Sequence, residues 1–202
     1  MNNMTFSITN DCSLIRIEED LLSHCEIFTC GASDLDEFLY KDAMAYENDL
    51  MGKTYCWLLK EDNTKIVGFV TLANASIQTT HLQNNPKRHL HKNIAYNKQG
   101  RTYPAVLIGR IAVSKDYQGK DFRTGTQMMD FIKKWFMAYD NKTGCRYVLV
   151  DAVNTPHTLA YYERNDFKPL FRQEKDEREF YHINDEDELK TRMYYFDLLL
   201  LK

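Results

Sequence analysis

The chain has 202 residues, 44% of them hydrophobic and 27% charged, with a formal net charge of −3 at pH 7. That length can bury a sizeable core as one domain over residues 1–202, and the composition excludes a disordered or fibrous chain. The charge offers no global attraction for nucleic acid, and no apolar run reaches the length of a membrane span. The five cysteines, Cys12, Cys25, Cys30, Cys56 and Cys145, include no CxxC pair. They read as reduced thiols of a cytoplasmic protein. The polar start, MNNMTFSITND, has no signal-peptide core.

In chain order, residues 14–17 predict a strand, and residues 26–31 a short extended piece ending at a glycine. Ser33 and Asp36 fit a capping box opening a helix. Leu35, Phe38, Leu39, Ala43, Tyr46 and Leu50 then recur at helical spacing and read as core. Residues 54–60 and 65–77 predict two strands joined by a polar turn. The pattern is lost in a variable loop over about residues 78–102, which is polar and basic. Its Lys87, Arg88, His89, His91, Lys92, Lys98 and Arg101 read as a solvated loop, with an RNA contact as the sharper alternative. His81, His89 and His91 lack acidic companions at ligand spacing, so no metal is expected.

Residues 105–113 predict a buried strand, apolar apart from Gly109 and Arg110. Arg110 needs a partner if buried, and could face substrate or an acidic side chain. A glycine-bearing turn and an amphipathic helix over about residues 126–139 follow. This strand–turn–helix order presents backbone amides at a helix start, where phosphate binds readily. Residues 145–153 predict a second buried strand, and Pro156 a helix start. That helix runs to about residue 164, with a strand over residues 167–171. A charged excursion occupies about residues 172–188, and residues 192–201 close the sheet.

Four segments, IVGFVTL (66–72), IGRIAVSKDYQG (108–119), RYVLVDA (146–152) and LAYYERNDFKPL (159–170), together resemble the GCN5-related N-acetyltransferase (GNAT) family. Within it, FTCGASDLDEFLY (28–40) and the GRIAV…YQG pairing resemble the toxin-type acetyltransferases paired with antitoxins. The resemblance implies a mixed α/β (α+β) fold with a mostly antiparallel sheet, a central splayed parallel pair of strands and flanking helices. It implies acetyl-CoA as cosubstrate and a primary amine as acceptor, the aminoacyl group of charged tRNA in the toxin version. An antitoxin protein and a second copy of the chain are the implied partners, with no membrane.

Residue by residue, the resemblance places the pantetheine arm along the backbone of Ile111, Ala112 and Val113, with Asn154 in reach of it. The pyrophosphate falls to Gln118, Gly119, Lys120, Arg123 and Gly125. The family's turn pattern is Gln/Arg-x-x-Gly-x-Gly/Ala, and here its glycine positions hold Asp121 and Arg123; a two-residue insertion aligns Gly125 alone. Glycines let amides approach phosphate closely, and Asp121 adds a like charge costing on the order of 1 kcal/mol at short range. Lys120 and Arg123 offset it. A working variant turn, a weakened site and a catalytically degenerate binding or regulatory protein are three readings that stay open. Tyr162 aligns with the family's tyrosine, a phenol of pKa near 10 that can protonate a departing thiolate. Asp151 is a base or, more simply, a structural carboxylate.

Overall fold

The computed structural model describes residues 6–80, 82, 84–91, 102–119, 121–184 and 186–202. In chain order its elements are α1 (Ile8–Asp11), β1 (Cys12–Arg16), α2 (Leu21–His24), α3 (Ser33–Glu37), a π-helical turn (Phe38–Asp42) and α4 (Ala43–Asn48). Next come β2 (Lys53–Leu59), β3 (Ile66–Gln78), α5 (Asn84–His91), β4 (Thr102–Val113), a 3-10 turn (Lys115–Tyr117) and α6 (Thr124–Met137). The chain ends with β5 (Tyr147–Val153), α7 (Pro156–Arg164), β6 (Lys168–Pro169), α8 (Glu174–Tyr181), β7 (Thr191–Asp197) and a 3-10 turn (Leu198–Leu201).

The strands form a mostly antiparallel sheet of order β1-β2-β3-β4-β5-β7-β6, with β4 and β5 its parallel pair. The mixed α/β class expected from the sequence is the class observed. The chain divides into two compact units, Met1–Ala73 with Ile108–Phe136, and Asn74–Leu107 with Met137–Lys202. Strands β3 and β4 each contribute residues to both. Among the described residues, no helix is long and apolar enough to cross a membrane.

In the first unit β2 is covered on both faces, because its apolar residues do not alternate with polar ones. Cys56 and Leu58 join a core with Phe28, Phe38, Leu39, Phe69 and Ala112. On the other face, Tyr55 and Trp57 meet Trp135 and Phe131 of α6 edge-on, at ring distances of 4.8 and 5.7 Å. Buried aromatic pairs of this geometry add to plain area burial. In the second unit, Tyr103, Ala105, Tyr147, Leu149, Leu170, Phe171 and Tyr195 form the core. There Arg146 N donates to Pro104 O at 3.0 Å, and β5 pairs with β7 from Tyr147 opposite Asp197 to Val153 opposite Thr191.

Several boundaries differ from the sequence-based expectation. The helix after the glycine-bearing turn begins at Thr124, not 126. The strand expected over 167–171 is only Lys168–Pro169, because Phe167, Leu170 and Phe171 turn inward as core. The charged excursion holds a helix, α8. The run Leu198–Leu201 is a 3-10 turn rather than a strand end. The capping box is not formed: Ala32 caps α3 without a side-chain bond. Asp36 instead accepts from Cys30 N (2.8 Å) and Thr29 Oγ1 (2.7 Å). Burial works to raise its pKa, but these hydrogen bonds outweigh it and hold the carboxyl below the ordinary value. Within the variable loop, α5 carries Lys87, Arg88 and His91, whereas His81, Lys92, Lys98 and Arg101 lie outside the described residues.

Candidate active site

In the first unit the turn between β4 and α6 is held from beneath by neutral side chains. Gln118 Nε2 donates to the carbonyls of Cys30 and Val113, both at 2.8 Å. Phe122 packs with Phe6 and Tyr117 at ring distances of 5.3 to 5.7 Å within the trio. Thr124 Oγ1 donates to Tyr117 O at 2.7 Å. Gln127 ties three segments: its Oε1 accepts from Ile8 N, and its Nε2 donates to Phe122 O and Phe6 O.

Held this way, the backbone takes two left-handed residues. Gly119 has φ +105°, and a Cβ there would meet nothing within 4 Å, so its upper side is open. Arg123 has φ +49°, and its N–H closes the turn on Gly119 O at 3.2 Å. A non-glycine residue in this region pays roughly 1–2 kcal/mol. Arg123 therefore keeps a conformation suited to glycine while adding a guanidinium. Gln118, Gly119, Asp121 and Arg123 are exposed, whereas Gly125 is half-buried in the first turn of α6. Lys120 lies outside the described residues. Anion binding at such a place follows from the helix dipole and the first-turn amides.

Upstream, Ala112 is buried in the core while Ile111 and Val113 are half-buried. The Val113 carbonyl already accepts from Gln118, so one lone pair is in use. Ser114 N and Lys115 N donate to Val67 O and Thr29 O, both at 2.9 Å, which fixes how the chain leaves β4.

The second unit carries Asp151, Asn154 and Tyr162. Thr155 caps α7 by accepting from Thr158 N, with Pro156 at the first helical position. The Tyr162 ring packs against Tyr161 and Phe167 at 5.2 and 5.7 Å and is 8% exposed. Its hydroxyl has no hydrogen-bond partner among the described residues. Burial, then the charge of Asp151, pushes its pKa up to about 12. Asp151 is exposed by area but set where desolvation raises its own pKa. Asn154 Nδ2 donates to Leu189 O (2.9 Å) and Glu174 Oε1 (3.3 Å), which leaves its side-chain oxygen as the remaining polar group.

The sequence did not point to what surrounds Asp151. Glu177 of α8 is 1% exposed, accepts from Met193 N at 2.6 Å and pairs with Arg192 Nε at 2.5 Å. Tyr181, its pKa pushed up to about 12 by burial and then by Asp151 and Glu177, bonds Met193 Sδ at 3.6 Å. The one signal available was the shared helical stripe of Glu177, Phe180 and Tyr181. Among the described residues, no three His, Cys, Asp or Glu side chains group as metal ligands.

A sequence model described as an acetyltransferase (GNAT) domain matches residues 52–169. Among solved structures, AtaT complexed with acetyl-methionyl-tRNAfMet is similar at 18% identity, covering 95% of this chain and 97% of that one, with a TM-score of 0.63. A tyrosine-to-phenylalanine mutant of KacT is similar at 17% identity, over 96% and 100% of the two chains, with a TM-score of 0.63. AtaTR bound with AcCoA is similar at 18% identity, over 95% and 98%, with a TM-score of 0.61.

Proposed function

Because the chain belongs to the acetyltransferase (GNAT) family, we propose that it moves the acetyl group of acetyl-CoA to the primary amine of an aminoacyl-tRNA. The observation that carries this is the turn at α6, whose backbone keeps left-handed residues at Gly119 and Arg123 although Arg123 is not a glycine. It is a backbone cradle for a diphosphate, with an exposed guanidinium in place of a bare glycine. The choice of acceptor draws support from the likeness to AtaT complexed with acetyl-methionyl-tRNAfMet. The likeness to a mutant AtaT toxin bound to the C-terminus of the antitoxin AtaR supports an antitoxin protein as partner. The five free cysteines, those with resolved shifts held as thiols by burial, suit a cytoplasmic setting.

Bound acetyl-CoA supplies an acetyl group activated as a thioester. First-turn amides of α6 and the Arg123 guanidinium hold the diphosphate, and Gly119 keeps the approach clear. In the first unit the backbone of Ile111, Ala112 and Val113 offers an edge to the amide arm; in the second, the Asn154 side-chain oxygen is an acceptor left for a ligand. Tyr162 holds a proton throughout the working pH range, since its pKa stands near 12, and gives it to the departing sulfur as the acetyl carbon bonds to the amine nitrogen. The proton lost by the amine passes to solvent, and solvent returns one to the Tyr162 phenolate, which its raised pKa makes a ready acceptor. Asp151 contributes by its charge, which keeps the phenol protonated.

The test is transfer of labelled acetyl from acetyl-CoA to charged tRNA, uncharged tRNA and a panel of free amines. Label on charged tRNA alone, released with the aminoacyl ester, is the expected result. Label only on free amines would overturn the acceptor; no label at all would overturn the enzyme.

A further inference from the structure

We propose that Arg110 is a clamp for a phosphate of the acceptor RNA, its guanidinium kept open by an aromatic shelf. The choice of RNA rests on the aminoacyl-tRNA reading; the clamp itself rests on the geometry of the first unit. The Arg110 guanidinium carbon lies 4.0 Å from the centroid of Phe38 and 5.8 Å from that of Tyr46. Stacking on rings uses the faces of the guanidinium and leaves its five edge N–H donors unused. Among the described residues no carboxylate, carbonyl or hydroxyl takes any of them. None of these nitrogens is among the buried side-chain atoms left without a partner, so they face solvent and stay open to an incoming acceptor.

The shelf is a built feature. The π-helical turn Phe38–Asp42 lies between α3 and α4 and begins at the buried Phe38, and such turns frequently mark functional sites. Phe38 stacks on Phe69 at 6.5 Å and 22°, and Tyr46 meets Phe38 edge-on at 6.0 Å. Tyr46 is seated over Gly52, where a Cβ would fall 2.8 Å from Tyr46 Cε1 and 2.9 Å from Leu72 O. No side chain larger than hydrogen leaves this seat intact.

The carboxylate beside Tyr46 is spent elsewhere. Glu47 pairs with Arg16 and accepts from Thr54 N at 3.3 Å. The positive charge of Arg110 is thus left for an incoming anion. A fork of donors matches phosphate oxygens, and the half-buried Tyr46 ring offers a surface on which an unpaired base can stack.

The test measures binding of uncharged tRNA by fluorescence anisotropy for the natural protein, Arg110→Lys and Arg110→Gln, across a salt series. Acetyl-CoA affinity and the thermal midpoint of each variant are measured alongside. We expect Arg110→Gln to weaken tRNA about tenfold or more and to reduce the salt slope by about 0.7, the loss of one phosphate contact to a single strand. Arg110→Lys keeps the slope but not the full affinity, since it keeps charge and loses the fork. Acetyl-CoA affinity stays within about twofold. Equal tRNA affinity in all three proteins, no tRNA binding by the natural protein, or parallel loss of acetyl-CoA affinity would each overturn the clamp. Should Arg110→Gln fail to fold, Arg110→Lys carries the comparison. Because uncharged tRNA needs no transfer step, failure of the clamp is distinguishable from failure of the proposed acetylation.

Discussion

The turn at the start of α6 and the strand pair β5–β7 use charge in opposite ways. In the first, Asp121 and Arg123 stand exposed while Gln118, Phe122, Thr124 and Gln127 fix the backbone from beneath. In the second, charge is inside: Glu177 and Arg192 are buried, and they fasten α8 to β7. The contrast explains why the family's glycine pattern can lapse at one place. Where neutral side chains already dictate the backbone, a glycine's freedom is dispensable, and its position can be given to a cation. Where a charge pair dictates the packing, neither partner can change alone.

The largest effect should therefore come from the buried pair. Glu177→Ala leaves Arg192 with only the exposed Glu174 and the Phe171 carbonyl, and should cost about 3–5 kcal/mol in denaturant unfolding. A cost near zero would mean that the pair does not hold α8, and the contrast would collapse.

Tyr162→Phe sharpens the chemical side. It should lower kcat for acetyl transfer on the order of 10²-fold or more while leaving the unfolding midpoint unchanged, because the hydroxyl has no hydrogen-bond partner among the described residues. With the natural residue, deprotonation of the phenol begins to cut the rate only as pH approaches about 12.

Arg123→Gly separates backbone from charge. Relief of the left-handed strain should raise stability by up to about 1 kcal/mol, and loss of the guanidinium should weaken acetyl-CoA binding. Stability and affinity moving in opposite directions is the signature of a position that traded one for the other.

Asp151→Asn should have the smallest effect, read by spectroscopic titration of the phenols. Removing the charge lowers the Tyr162 pKa from about 12. The folded-state pKa of Asp151 is raised, so the folded protein binds this proton more tightly and loses stability as pH climbs from the ordinary carboxylate value through the raised one. Asp151→Asn removes that decline and makes the protein more stable at neutral pH.

The sheet and α7 were legible because their signals are local. The apolar runs of β2, β3 and β4, the polar turn between the first two and the Thr155–Pro156 start of α7 need only neighbours in sequence. Helix α8 was hidden because its buried anchor is a glutamate, which reads as solvent-facing until Arg192 is seen beside it. Leu198–Leu201 read as strand because four leucines give no hint that Asp197 caps a turn through Leu199 N. Within the site, Gln118 and Gly119 were visible from the motif, but the left-handed conformation of Arg123 was not, since arginine gives no sign of favouring it. For Arg110 the sequence left open substrate or an acidic side chain as what it faces. The rings of Phe38 and Tyr46 that carry its guanidinium are far away in sequence and gave no sign there.

The most direct test of the central claim is titration calorimetry of acetyl-CoA into the natural protein, beside a variant combining Asp121→Gly and Arg123→Gly. A dissociation constant in the micromolar range for the natural protein is the predicted result: the turn holds a diphosphate without the family's glycines. No heat from the natural protein, with binding restored by the two glycines, would contradict it and leave a degenerate binding or regulatory protein built on this fold.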